Sequence, residues 1–161
     1  MILSTKPLLI AFLFVTINSY SQQRFFAEKA IVTFFSDAVV ELSADVTSID
    51  TDNASRDEHL RGTNYFDAAT FPALTFKSKS FTKISDKKYK LTGDLTIKGV
   101  TKTVDLEVTY IGSTTNPKTQ KRIAGFKITG KINRIDFGVG TSSATLGDEV
   151  TITANVEVIK D

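Results

Sequence analysis

The chain has 161 residues, enough for one domain, and its 20 basic against 18 acidic side chains leave a net charge of only +2. That balance supplies no strong pull toward nucleic acid or anionic lipid, and the lysines read as scattered along polar strand faces, not clustered. The absence of Cys excludes a disulfide framework and a thiolate nucleophile, and a single His excludes a His-rich metal site.

The N-terminus carries a targeting pattern. Lys6 precedes an apolar run over residues 7–17, and Ser19 and Ser21 are the small residues at −3 and −1 of a cut before Gln22. The apolar run falls short of the roughly 20 residues that span a bilayer. It predicts a secretory signal over residues 1–21 and a single exported domain over residues 22–161, in the periplasm or outside the cell. With no Cys at the cut, a lipoprotein anchor is excluded.

Beyond it, residues 30–35 read as a short apolar strand, and Val40, Leu42, Ala44 and Val46 alternate with polar residues to give a second. Residues 50–64 are polar. Asp52 and Asn53 offer an N-cap, residues 55–60 contain helix formers, and Gly62 closes the segment. Residues 65–72 predict a short helical turn ended by Pro72. Leu74 and Phe76 open a strand that runs toward Ser80, residues 81–84 continue it or start another, and residues 85–87 make a turn.

The region from residue 89 to 110 is the most informative. Tyr89, Leu91, Leu95 and Ile97 share one face, as do Val104, Leu106, Val108 and Tyr110, with Lys98-Gly99-Val100-Thr101 between the two runs. Side chains alternate along a strand, so this is a hairpin with one wet and one apolar side. Gly93 on the apolar face permits bending or leaves space. A polar loop over residues 112–121 leads to a strand on which Ala124, Phe126, Ile128, Gly130 and Ile132 share a face. Residues 136–143 are Gly-rich, Gly147-Asp148 turns, and Val150, Ile152, Ala154, Val156 and Val158 form the last strand. Roughly seven strands and one helical excursion predict a mostly β, antiparallel barrel or sandwich.

Few side chains could carry chemistry. Arg56, Asp57, His59 and Arg61 lie on one helical segment, where groups diverge and do not converge on a substrate. They are read as capping and tying the excursion, with Asp57 paired to an arginine. Asn133, Arg134 and Asp136 read as a polar corner with an Arg134–Asp136 ion pair. Asp148, Glu149 and Asp94 match no calcium loop, so no metal is expected.

Five segments, in order, resemble the YceI-like family of secreted lipid-binding proteins. These are Ser48-Ile49-Asp50-Thr51 leading into Arg56-Asp57-Glu58-His59-Leu60-Arg61 and Tyr65-Phe66-Asp67; Phe71-Pro72-Ala73-Leu74-Thr75-Phe76-Lys77-Ser78; Gly93-Asp94-Leu95-Thr96-Ile97-Lys98-Gly99-Val100-Thr101-Lys102; Asn133-Arg134-Ile135-Asp136-Phe137-Gly138; and Gly147-Asp148-Glu149-Val150-Thr151-Ile152. The resemblance implies a lipocalin-like antiparallel barrel that holds a polyisoprenoid or related amphiphile, with no catalytic residue and no cofactor. The family has a longer stretch before the Ser48 segment. The shortened one here implies a barrel open along one side, a homodimer that completes it through an exposed edge strand, or a deletion.

The function expected is therefore an exported protein that sequesters or carries a long apolar molecule. Phe66, Phe71, Phe76, Leu91, Leu95 and Ile97 are candidate lining residues from the first half. Val104, Leu106, Val108, Phe126, Ile128, Phe137, Ile152 and Val156 are those from the second. Arg56, His59 and Arg134 are candidates for a polar mouth. No nucleic-acid partner and no stable membrane insertion are expected. The alternative is a non-catalytic structural module in which Leu95, Phe126 and Val156 meet in a packed core.

Overall fold

The structure is a computed structural model that describes residues 14–19, 21–32 and 40–160, with side chains from 40 to 158. Eight strands run β1 (Phe14–Ser19), β2 (Ser21–Val32), β3 (Val40–Asp45), β4 (Ala73–Lys83), β5 (Lys88–Ile97), β6 (Val100–Thr115), β7 (Arg122–Asn133) and β8 (Glu149–Lys160). Each pairs antiparallel with the next, and β8 returns to β1, so the sheet closes as a barrel. An open side is one of three alternatives, and here β1 occupies that place. Residues Phe14 to Ser19, which the sequence assigns to the end of a leader, fill the gap between β2 and β8. The edge expected to receive a second copy is thereby occupied.

The central hairpin follows from its sequence. Lys98 (φ 49°) and Gly99 (φ 74°) form a two-residue turn whose left-handed backbone matches the twist of the strands. Ile97 then pairs with Val100, and the register continues to Lys88 opposite Thr109. Leu91, Leu95, Ile97, Leu106 and Val108 are all buried on the inner face. On the outer face Lys79 bridges Asp94, Lys90 bridges Asp105, and Lys88 bridges Glu107. Exposed pairs of this kind contribute little each.

The glycines on the inner face do not leave empty space where they sit. A Cβ on Gly93 would lie 2.4 Å from the Phe76 ring and 2.5 Å from the Lys77 carbonyl oxygen, and one on Gly130 would meet Leu106. Neighbouring side chains already cover both positions. The shift in register between Ser78 and Ser80, opposite Gly93, bends β4 at the same level.

The excursion between β3 and β4 begins with a 3₁₀ turn (Val46–Ser48) and contains helix α1 (Ala54–Arg61). Asn53 caps α1, its side chain accepting from the Arg56 N–H at 3.0 Å. Gly62 ends the helix with ordinary negative φ, so no left-handed cap is used. Residues 65–72 form hydrogen-bonded turns instead of the expected helical piece, with the Phe71 N–H donating to the Asp67 carbonyl at 2.8 Å.

Candidate functional site

The inner faces and the two ends of the barrel are the places where a function can reside. Of the predicted lining residues, Phe66, Phe76, Leu91, Leu95, Ile97, Leu106, Val108, Phe126, Ile128, Phe137, Ile152 and Val156 are buried, and Phe71 and Val104 are half-buried. The structure divides them. Those on strands face the interior, whereas Phe66 and Phe137 sit on connections at one end. Phe71 packs beside Gly99 at the hairpin turn, where a Cβ would stand 2.7 Å from its ring.

That end is covered. The β3–β4 excursion, the β5–β6 turn and the β7–β8 connection all meet there, and they bury Val46, Ile49, Leu60, Phe66, Ala68, Phe137 and Val139. Lys98 fastens the three together, its Nζ donating to the carbonyls of Thr63 at 2.8 Å and Gly138 at 3.0 Å. Gly140, at φ 70°, admits the Tyr65 ring and the Arg134 guanidinium where a Cβ would collide.

The three polar candidates all fall at this covered end. Arg134 is only 5% exposed. Its guanidinium donates to the carbonyls of Gly147, Val139, Thr141 and Leu146 and to Asp148 at 2.9 Å. The expected pair with Asp136 does not form. A 3₁₀ turn (Arg134–Phe137) sends Asp136 outward to Lys102 at 3.7 Å, while the β7–β8 connection brings Asp148 back under the guanidinium.

Arg56 and His59 are exposed on α1 and line a solvent-open hollow of about 730 Å³ with Asn53, Ser55, Glu58, Gly62, Thr63 and Asn64. The His59 ring lies 4.9 Å from Tyr65. Asp57 turns inward and accepts from both the N–H (2.9 Å) and the hydroxyl (2.6 Å) of Thr51, not from an arginine. Arg61 donates to the carbonyls of Thr47 and Ile49, which ties α1 to the preceding turn.

At the opposite end the inward apolar side chains are only partly covered. Phe81 stacks on Tyr89 with ring centroids 4.9 Å apart, and Tyr110 lies 5.4 Å from Phe126. Phe81, Tyr89, Tyr110 and Ala124 are half-buried and pack against the core from its rim. This collar of aromatics was not singled out as a mouth from sequence. The signal available was the alternation itself, which carries Phe81, Tyr89 and Tyr110 onto the apolar faces of β4, β5 and β6.

Two carboxylates on the outer wall are perturbed. The Asp94 carboxyl is held below its ordinary range by hydrogen bonds from Lys79 and Thr103, and Asp105 by those from Lys90 and Thr92. Asp94, Asp148 and Glu149 have separate partners in Lys79, Arg134 and Lys131. Among the described residues there is no cluster of His, Cys, Asp or Glu able to hold a metal, and no helix long and apolar enough to cross a membrane.

A family model for the YceI-like domain matches residues 14–158. Protein YceI of Escherichia coli is 40% identical over 121 residues, which are 75% of this chain and 62% of that protein. The aligned stretch therefore falls short of two thirds of the curated relatives' length. The crystal structure of a YceI protein from Campylobacter jejuni superposes with a TM-score of 0.82 at 30% identity, covering 98% of this chain and 91% of that one. A polyisoprenoid binding domain from Saccharophagus degradans shares the fold at 11% identity, with a TM-score of 0.61 and 94% of each chain covered.

Proposed function

Because the chain belongs to the YceI-like family, whose members are non-catalytic, we propose that it binds a long apolar amphiphile, of polyisoprenoid type, between the inner faces of its barrel. The observation that carries this reading is the arrangement of the apolar surface. Every side-chain-resolved strand turns its apolar side inward, one end is sealed by three connections, and the other keeps a half-buried aromatic collar. A flexible hydrocarbon needs an apolar wall and one entrance, not a hydrogen-bonding pocket. Burying each methylene-sized group contributes about 0.8 kcal/mol, so a five-carbon unit contributes several, and length and shape set the selectivity. The S. degradans domain supports the ligand class by fold alone. The apolar N-terminal segment supports export to the periplasm or beyond.

Native mass spectrometry of the purified chain, followed by organic extraction and by addition of a labelled polyisoprenoid, tests the reading. A co-purifying or saturably taken-up lipid, displaced in the variant Tyr110→Lys at the collar, is expected. No extracted lipid and no uptake would leave a barrel without a ligand and overturn it.

A further inference from the structure

The near-neutral total charge conceals a division between the two ends of the barrel. At the aromatic end the β4–β5 connection carries Lys83, Lys87 and Lys88, and the β6–β7 connection carries Lys118, Lys121 and Arg122. Within those two connections Asp86 is the only carboxylate. Lys83 and Lys88 bridge Asp86 and Glu107 in exposed pairs, and the exposed Lys87, Lys118 and Arg122 keep the local charge of these two connections positive. The covered end is the reverse, since its three connections set Asp50, Asp52, Asp57, Glu58, Asp67, Asp136 and Asp148 against Arg56, Arg61, Lys98 and Arg134.

Large apolar side chains stand exposed at the same basic end. Ile84 is 62% exposed just after β4, and Ile111 is 63% exposed in β6. Ile111 is the extra residue where the β6–β7 register passes from Tyr110–Phe126 to Gly112–Gly125. The Tyr110 N–H donates to the Lys87 carbonyl at 2.7 Å, which holds the β4–β5 turn against β6 and sets the two isoleucines on neighbouring segments. Pairing with β5 stops at Thr109, so the β6–β7 ribbon projects past it.

We propose that this end of the barrel docks on the surface of an anionic phospholipid bilayer, with Ile84 and Ile111 entering the interface and the surrounding cations facing the headgroups. Apolar side chains ringed by lysine and arginine suit a layer that is anionic outside and hydrocarbon within, and neither feature alone gives firm attachment. An acidic protein surface would satisfy the cations but offers no general acceptor for two isoleucines. The acidic covered end would point away from the bilayer. Docking in this pose turns the collar of Phe81, Tyr89 and Tyr110 toward the acyl layer. It stands whether or not the interior holds a ligand, and so goes beyond the function proposed above.

The chain contains no Trp, so a single introduced indole reports one position without background. Full-length Ile84→Trp and, at the opposite end, Ala69→Trp would be mixed with vesicles of phosphatidylcholine alone or with phosphatidylglycerol. The expected result is co-sedimentation with the anionic vesicles only, weakened by salt, and a blue shift of emission for Ile84→Trp but not for Ala69→Trp. The double variant Lys87→Glu/Lys118→Glu, with both changes on exposed loop positions, should bind the anionic vesicles roughly tenfold or more weakly. Its circular dichroism spectrum should stay unchanged. No sedimentation with anionic vesicles, equal binding to neutral ones, or equal shifts from both reporters would overturn the proposal. Binding to an acidic polypeptide without binding to vesicles would overturn it as well.

Discussion

The two ends of this barrel are built from the same kind of strand and finished in opposite ways. At one, the connections fold back, bury their apolar side chains and use a buried arginine and a half-buried lysine to satisfy carbonyls. At the other, the β4–β5 and β6–β7 connections leave strand-terminal aromatics half-covered and carry a group of cations beside them. The first arrangement serves stability, because a carbonyl taken from water must find a donor. The second gives up burial and keeps an apolar rim that something else can cover.

The sharpest way to break this comparison is to remove one aromatic from each end. Phe137→Ala at the covered end should cost about 3–5 kcal/mol, because the ring is wholly enclosed and leaves a cavity. Phe81→Ala at the collar should cost roughly half of that or less. Urea midpoints at constant slope measure both, and equal losses would mean that the ends do not differ as described.

Next in size is Arg134→Ala, expected to cost about 3 kcal/mol by stranding Asp148 and several carbonyls together. Arg134→Lys should recover only part of that, since an ammonium cannot reproduce the planar fork. Full recovery in a thermal melt would show that charge alone matters there.

Along the wall between the ends, Gly93→Ala drives a methyl group into the Phe76 ring and the Lys77 carbonyl and should cost about 1–3 kcal/mol. Gly112→Ala, with nothing within 4 Å of the added carbon, should stay within about 0.5 kcal/mol. A neutral Gly93→Ala would mean the wall yields, and with it the contact that fills the bend.

The smallest effect belongs to pH. Asp94 and Asp105 have lowered folded-state pKa values, so their contribution is fully present above the ordinary carboxylate range. It is lost as pH falls through the lower folded values. Denaturation midpoints should be flat from neutrality down to roughly pH 5 with respect to these groups and decline slightly below about pH 4. Asp94→Asn combined with Asp105→Asn should reduce that decline. An unchanged acid limb would assign it to other carboxylates.

Much of the wall was legible because strand periodicity is local. The alternation over residues 89–110 specifies the inner face of the hairpin, and Asn53 announces its helix as a capping residue ahead of helix formers. The ends were less legible. Arg134 finds Asp148 fourteen residues on and not Asp136 two residues on, because a 3₁₀ turn rotates the nearer carboxylate outward. The basic connections are some thirty residues apart in sequence and read as scattered charge until two hairpins bring them together. Residues Phe14 to Ser19 straddle the end of an apolar run that reads as part of a leader, and their pairing with β2 and β8 is visible only in the structure.

By itself, then, the order of residues determined most of the strands from β3 onward and their apolar side, because each depends on neighbours a few positions away. Closure through β1, the sealing of one end by Lys98 and Arg134, and the gathering of cations at the other were decided by the tertiary structure. Those features join segments distant in sequence, and which donors, charges and edges meet is fixed only once the sheet has curled.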